Sequence, residues 1–392
     1  MIHFKIHNMD LEEEIKNVKI DCIYFNGSMP CKPHREKGVH CENCSDYKKT
    51  NKKILIIQLG AAGEVLRNTP LLRKIKKEYS NSKIFWLTQY PELIPKDEVF
   101  KIYDYNQREV ELLKDVEFDI LYSLDKNEEM GALANQIKSK VKKGFSQKDG
   151  VVIPFDKDAE RKWINGVFDD LMKENKKHYV EEIFEICGFK FNGEKYLLPD
   201  YEIPQVDLNR KKIVVALNTG TRNKWKPREY STKNWIEVAK LLMKKNYEVM
   251  AVGGEKEDEN NKIIARESGA KYFGTFSRQN FLGLLSLSDI VLTSVSFGLH
   301  AAIGLEKKIV LLNNIFNKYE FYMYGNGKVL EPDLPCLMCY KLDFDDRCPV
   351  VPCMDLVKPE KIVKEVENFK LQRKDNYFIE KTLKKSFLTN TP

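Results

Sequence analysis

Cysteine is the residue type whose spacing points most directly to chemistry in this chain of 392 residues. Eight of the nine cysteines form two sets of four in loop-like sequence, while Cys187 lies in an apolar helix pattern as a buried thiol. Four thiolates suit a tetrahedral site for a soft metal ion, with Zn²⁺ the simplest occupant and Fe the alternative. We therefore predict one or two structural metal sites, and a merged site or an Fe–S cluster stays open. The first set is Cys22, Cys31, Cys41 and Cys44, with His34 and His40 nearby, and the second is Cys336, Cys339, Cys348 and Cys353.

A loop of small residues follows a buried-strand pattern and ends in a carboxylate. Its residues are Gly60, Ala61, Ala62 and Gly63, and Glu64 then opens a helical pattern. Small residues let a substrate approach the backbone, and free N–H groups at a helix start attract negative charge. The spacing is not that of a dinucleotide-binding loop, and no acidic residue ends the second strand. Glu64 is therefore either an acid–base group or a carboxylate that only stabilises the N-terminus of the helix.

One stretch in the second half of the chain carries groups that suit a diphosphate, and two others combine glycines with polar residues where a strand pattern ends. Residues 218–227 combine hydroxyls, a glycine and three cations after a strand pattern. N–H and O–H donors with positive charge are what a departing diphosphate needs, although a solvated loop has the same composition. Residues 253–257 end the next strand pattern with Gly-Gly and two glutamates, and residues 293–302 open a helix with hydroxyls, a glycine and a histidine.

Alternating strand and helix patterns must position these groups. The run Lys53–Leu59 is continuously apolar at 54–57, as in a strand buried on both faces, and alternation continues to Phe145. A second alternating set runs from Ile213 to Asn314. This order predicts an α/β protein of two doubly wound, Rossmann-like domains that face each other across a cleft. The predicted parts are a cysteine-rich, metal-binding extension (1–50), a first Rossmann-like domain (51–205), a second Rossmann-like domain (206–370, with a cysteine loop at 335–354) and a tail (371–392).

Residues 54–88 resemble the opening of glycosyltransferase family 9, the lipopolysaccharide heptosyltransferase family. The shared features are a strand, a small-residue loop, an acidic residue after glycine and an aliphatic stretch ending in Thr-Pro. The resemblance implies a GT-B fold and places the family's catalytic base, an Asp in its members, at Glu64. It also implies that 51–205 is the acceptor-binding domain, whose loop Gly60–Gly63 contacts the acceptor, and that 206–370 is the nucleotide-sugar-binding domain. The second cysteine loop is similar to that of iron-bearing autotransporter heptosyltransferases.

The donor motifs of the family match the second half of the chain. Lys224 fits the family's phosphate-loop lysine, with Lys226 as the competing assignment, and Glu257 fits the acid that contacts the donor ribose. Val295 stands where the family has an Asp. The resemblance implies donor contacts from Thr219, Gly220, Thr221, Lys224, Glu257, Ser296, Gly298 and His300.

Together these features imply an inverting glycosyltransferase without a catalytic metal. It would move a heptose or related sugar from a nucleotide diphosphate, with ADP-heptose the expected donor, to a hydroxyl of a glycan or protein acceptor. Because Val295 cannot accept a hydrogen bond from a sugar hydroxyl, a catalytically impaired scaffold of the same fold is the main alternative. A metal-stabilised nucleic-acid-binding protein and a sugar-nucleotide epimerase are weaker alternatives.

Charge and hydropathy limit the partners. The net charge of +7 is spread over both halves, which argues against a nucleic-acid partner. Lysine runs at 48–53 and 381–385 leave open a peripheral contact with an anionic membrane surface. No apolar run approaches the roughly 18–20 residues of a membrane span, and the first residues lack a signal-peptide layout. We expect a cytoplasmic protein, peripheral at the inner membrane face if it touches a membrane, and leave oligomer formation open.

Overall fold

The computed structural model describes residues 11–221, 225–341, 343–345, 348 and 352–370. Lys224 and the tail 371–392 lie outside the described residues, so their predicted roles stay predictions. The strands are β1 (Lys53–Ile57), β2 (Lys83–Thr88), β3 (Lys101–Asp104), β4 (Phe118–Ser123), β5 (Ser139–Lys148), β6 (Val151–Pro154), β7 (Val214–Asn218), β8 (Glu248–Val252), β9 (Ile290–Ser294), β10 (Lys308–Leu312) and β11 (Gly327–Leu330).

Helices alternate with these strands along most of the described chain. They are α1 (Leu11–Asn17), α2 (Lys32–Lys37), α3 (Ala62–Asn68), α4 (Pro70–Glu78), α5 (Gln107–Lys114), α6 (Glu128–Gln136), α7 (Lys157–Asn165), α8 (Asp169–Glu174), α9 (Tyr179–Ile186), α10 (Thr232–Lys244), α11 (Asp258–Ser268), α12 (Arg278–Ser286) and α13 (Phe297–Gly304).

The chain divides into two compact units. The first holds residues 1–59, 71–91 and 96–159, and the second holds 60–70, 92–95 and 160–392. The division differs from the predicted boundary at residue 205, because α9 and the segment after it pack with the second unit. The short segment Gly60–Pro70, which carries Glu64, also belongs to the second unit.

The first unit is built on a six-stranded sheet of order β3-β2-β1-β4-β5-β6. All neighbours are parallel except β5 and β6, which are antiparallel. The apolar strands β1, β2 and β4 are almost wholly buried, as their continuous apolar runs predict. In the cysteine-rich extension, by contrast, the apolar side chains of Leu11, Ile15 and Ile20 are exposed.

The second unit is built on a parallel five-stranded sheet of order β11-β10-β9-β7-β8. Its core lies between this sheet and α10, where Trp235, Val238 and Leu242 are buried together with the strand residues. The predicted α/β architecture of two parallel-sheet domains is thus confirmed. Residues 189–213, all of them described, form neither helix nor strand and belong to the second unit.

The helix predicted to run from the glycine loop to Tyr79 is two helices. It is interrupted between α3 and α4 at Thr69, immediately before Pro70. Proline has no N–H for the helical ladder and clashes with the preceding turn, which explains the break. The interruption leaves α3 a short helix of seven residues that carries Glu64 in its first turn.

Candidate active site

Glu64 lies in the first turn of α3, which follows a short extended stretch after β1. Ala61 precedes the helix in an extended conformation, and Ala62 and Gly63 are buried. The Glu64 side chain is 37% exposed. The predicted acceptor loop therefore has an exposed part, at Ala61, and a packed part that fixes the helix start.

Gly63 is where α3 meets α13. A Cβ atom at residue 63 would lie 2.5 Å from Cδ2 of His300, so only glycine permits this approach. Carbon atoms normally pack at about 3.5–4.0 Å. The residue before the predicted base is therefore in direct contact with a residue of the predicted donor helix, and both belong to the second unit.

His300 is buried and uncharged. Its Nδ1 lies 3.3 Å from the Tyr196 hydroxyl, and the two rings are nearly parallel. Burial, and secondarily the positive charge of Arg67, hold the pKa of His300 well below its usual value. A neutral ring in this position can pack and hydrogen-bond without adding charge to the site.

Asn218, the last residue of β7, links two predicted donor elements. Its Nδ2 donates to Thr293 Oγ1 at 2.7 Å and to Ser296 Oγ at 2.8 Å. Ser296 is the residue before α13, and Gly298 gives Asn218 room, since a Cβ atom there would overlap the Asn218 amide. This cluster holds the start of α13 next to the end of β7, and the free N–H groups of such a helix start attract phosphate.

The loop after β7 is held by its side chains. Thr219 Oγ1 donates to Asn261 Oδ1 at 2.7 Å, and Thr221, which is buried, donates to Glu229 at 3.2 Å. Gly220 lies against Glu257, because a Cβ atom there would be 3.7 Å from Glu257 Oε2. The predicted donor residues of this loop are thus brought together.

Glu257 is buried and binds its own loop. Its Oε2 accepts the backbone N–H of Gly254 at 3.0 Å. Gly253 has little room for a side chain, since a Cβ atom would lie 2.8 Å from Asn261 Nδ2. The structure therefore places Glu257 beside the predicted phosphate loop and gives it a local bond that fixes its carboxylate.

Arg228 is a partly buried cation that joins the two predicted donor loops. Its guanidinium donates to the carbonyl of Thr221 at 2.7 Å and to the carbonyl of Val295, while its own carbonyl accepts from Ser294 at 3.2 Å. Burial lowers its pKa to about 10, and Glu229 and Glu257 oppose that shift. Arg228 therefore stays charged at neutral pH. Lys226, the competing lysine, is exposed and pairs with Asp343 at 3.0 Å.

The second cysteine set surrounds one small cavity. The cavity holds about 30 Å³, which is room for one small ion or one water. Burial raises the pKa of the Cys353 thiol, and the nearby Cys339 and Cys336 raise it further. Its lining residues are Cys336, Cys339, Cys348, Cys353, Pro227, Asn314, Ile315, Leu334, Leu337 and Lys341.

The first cysteine set is distributed over the extension. Cys22 is buried and pairs with Lys49 in an isolated bridge, Cys31 precedes α2, and Cys41 and Cys44 lie at one short 3₁₀ turn. The rings of His34 and His40 are 5.4 Å apart. Across the described residues, no three Cys, His, Asp or Glu side chains stand in the arrangement of a formed metal site. All nine cysteines are free thiols, and Cys187 is buried.

Comparison with known proteins gives matches in structure alone. No family model matches the chain, and no curated protein matches its sequence. A family 9 glycosyltransferase from Veillonella parvula has a TM-score of 0.61 at 16% identity, over 83% of this chain and 99% of its own. The ADP-heptose LPS heptosyltransferase II of E. coli has a TM-score of 0.58 at 15% identity, over 82% and 99%. The chain has the fold of the family 9 glycosyltransferases.

The dodecameric iron-containing heptosyltransferase TibC, solved with ADP-D-β-D-heptose, also shares this GT-B-like fold. Its TM-score is 0.52 at 12% identity, over 83% of this chain and 78% of TibC. Identities this low establish the likeness of fold. Within the part of the chain that the structure describes, no helix has the length and apolar character needed to cross a membrane.

Four residues that contact the predicted site residues were not themselves predicted from the sequence. Asn218 ends a predicted strand as a polar residue in an apolar run, and Arg228 follows the proline of the predicted phosphate loop, so both had a local signal. Arg67 follows Glu64 by three residues, a spacing that places two side chains on one helix face. Asn261 lies inside α11, and its contact with Thr219 spans 42 residues, so no local pattern could have indicated it.

Proposed function

We propose that the chain is an inverting glycosyltransferase that moves a heptose or related sugar from ADP-heptose, or a similar nucleotide sugar, to a hydroxyl of a glycan or protein acceptor. The fold supports this proposal, since family 9 glycosyltransferases share it. The observation that carries it is the contact of Gly63 with His300, because it joins the helix of Glu64 to α13, the helix that follows Ser296.

Glu64 is the proposed general base. Its carboxylate accepts the proton of the acceptor hydroxyl while that oxygen forms a bond to the anomeric carbon. The bond from the anomeric carbon to the diphosphate oxygen breaks, and the electron pair leaves with the nucleoside diphosphate. Attack on the face opposite the leaving group inverts the anomeric centre. The partial exposure of Glu64 leaves it accessible to an acceptor.

The leaving diphosphate gains charge as the bond breaks, so its stabilisation requires donors and cations. The N–H groups at the start of α13 and the predicted cation Lys224 would supply them. The hydroxyls of Thr219 and Thr221 donate to Asn261 and Glu229 in this structure, so they would have to turn towards the diphosphate to contribute. Arg228 adds a partly buried positive charge and holds both loops by their carbonyls. No step requires a catalytic metal.

Val295 need not abolish activity in this arrangement. Its backbone carbonyl accepts from Arg228, a contact that does not depend on the side chain. The catalytically impaired scaffold differs from the enzyme in one measurable respect, which is turnover. It would bind a nucleotide sugar and release no nucleoside diphosphate.

The test compares wild type with Glu64→Gln. ADP release from ADP-heptose is measured with glycan and protein acceptors, and ADP affinity is measured by calorimetry. Loss of general-base catalysis should lower kcat about 10²–10⁴-fold and leave ADP affinity unchanged. Glu109→Gln is the matched control, because Glu109 also lies in the first turn of a helix, α5, in the first unit. Equal and negligible rates in wild type and Glu64→Gln, with ADP still bound, would favour the scaffold.

We further propose structural metal binding by the cysteine sets. The second set has the stronger support, since its four thiols line one cavity of suitable size. Thiolate donors suit Zn²⁺ or Fe, and TibC, which shares the fold, contains iron. A bound ion would cross-link its loop and add folding free energy. The first set rests on composition and spacing.

Metal content distinguishes the two sets. Purified wild type should carry one Zn or Fe ion per chain for each cysteine set that binds metal. The double variants Cys336→Ser/Cys339→Ser and Cys41→Ser/Cys44→Ser should each lose the ion of the set that they alter. Cys187→Ser is the control, since it removes a thiol outside both sets. A wild-type protein that stays free of metal after expression in metal-supplemented medium would refute both sites.

A further inference from the structure

We propose that Arg67 is the positioning residue of the reaction, holding the Glu64 carboxylate by one oxygen so that the other faces the acceptor proton. This inference rests on the proposed function and deepens it, because it names what aims the base. It assigns a role to a buried cation that the donor and acceptor motifs leave unexplained.

The first observation is the bond itself. Arg67 Nη2 donates to Glu64 Oε1 at 2.9 Å, one turn along α3. Oε2 of Glu64 receives no hydrogen bond from any residue in the described part of the chain. A carboxylate held at one oxygen is restrained in position, and its second oxygen keeps its lone pairs for an incoming proton.

The second observation is the rigidity of the guanidinium. Arg67 is buried, with its side chain 9% exposed, whereas its partner is partly open to solvent. Its Cζ lies 3.1 Å from the centre of the Tyr179 ring at the start of α9. A planar cation stacked on an aromatic face turns little, so it can fix the direction of its partner. Exposed helical ion pairs lack this constraint and contribute little.

The third observation concerns electrostatics. Burial opposes the charge on Arg67, but Tyr179, Glu64, Glu320 and Tyr196 together raise its pKa above the usual value. The cation is therefore retained in a buried position where an apolar side chain would avoid the desolvation cost. Among the described residues its Nε has no hydrogen-bond partner, so the known contacts do not place the residue in a complete structural network.

A double-mutant cycle between Arg67 and Glu64 tests the proposal. Arg67→Met should lower kcat on the order of 10²-fold, the effect of a misplaced catalytic group, with ADP affinity unchanged. In the Glu64→Gln background the same change should alter kcat less than about 3-fold, because the two residues act as one unit. Arg108→Met, an exposed arginine on α5, is the control and should match wild type.

Two milder variants cover the case in which Arg67→Met does not fold. Arg67→Lys keeps a charge and loses the planar fork, and Tyr179→Leu keeps the ion pair and loses the stacking face. Each should lower kcat about 10-fold with ADP affinity intact. A purely structural role predicts additive losses in the cycle, or a fall in ADP affinity that matches the fall in kcat, and either result overturns the inference. Absence of transfer by wild type would instead overturn the proposed function.

Discussion

Replacing Gly63 with alanine tests the contact on which the proposed site depends. The added Cβ would lie 2.5 Å from His300 Cδ2, about 1 Å inside the normal packing distance. His300 cannot easily yield, because it is buried and packed against Tyr196. The first turn of α3, with Glu64, must therefore move by about 1 Å. We expect a loss of about 1–3 kcal/mol in stability, typical of overpacking, and a fall in kcat on the order of 10²-fold.

The assay separates the two effects. Stability is measured by urea unfolding, and kcat is measured per folded molecule with ADP-heptose and acceptor at saturation. Gly131→Ala is the matched control, because its Cβ would lie 2.5 Å from the Ser146 backbone, within the first unit. It should lose stability and keep kcat. If Gly63→Ala retains wild-type kcat while Gly131→Ala is destabilised as expected, the contact does not position the base and the reasoning fails.

Three further predictions follow from the donor elements. Gly298→Ala should raise the donor KM at least 10-fold, measured by steady-state kinetics, because its Cβ would displace the Asn218 amide that holds the start of α13. Arg228→Met should raise the ADP dissociation constant, measured by calorimetry, about 10–100-fold, since it releases the carbonyls of both loops. His300 stays neutral in the folded protein, whereas in the unfolded chain it gains a proton below about pH 6.5. Above that pH the residue is neutral in both states, so protonation of His300 does not favour unfolding there. Below it, the free energy of unfolding should fall by up to about 1.4 kcal/mol per pH unit. Urea unfolding at several pH values should show this contribution in wild type and not in His300→Asn.

The fold could be predicted because its signals are local. Buried parallel strands such as β1 and β10 contain continuous apolar runs, and the alternation of strand and helix fixes the α/β class. The elements that escaped prediction have weaker patterns. The edge strand β3 has four residues, of which one is fully buried, so its sequence lacks the apolar run of a central strand.

The candidate site could be predicted only in part, because its contacts join distant segments. The glycine loop and the hydroxyl-rich loop were visible as patterns, but the approach of Gly63 to His300 joins residues more than 200 positions apart. The role of Arg228 was hidden for a different reason. Its position after the proline is a local signal, but its role depends on two carbonyl partners, Thr221 and Val295, that the sequence pattern does not reveal.

The membership of Gly60–Pro70 in the second unit changes how the proposed chemistry is understood. Sequence order assigns this segment to the first sheet, but its own contacts hold it to the second unit through Gly63 with His300, Arg67 with Tyr179 and Thr69 with Leu197. The base and the donor loops are then parts of one packed body, so the geometry between them is set by short side-chain contacts within that body. Substitutions at these contacts should therefore change kcat more than acceptor affinity, because they move the carboxylate relative to the leaving group.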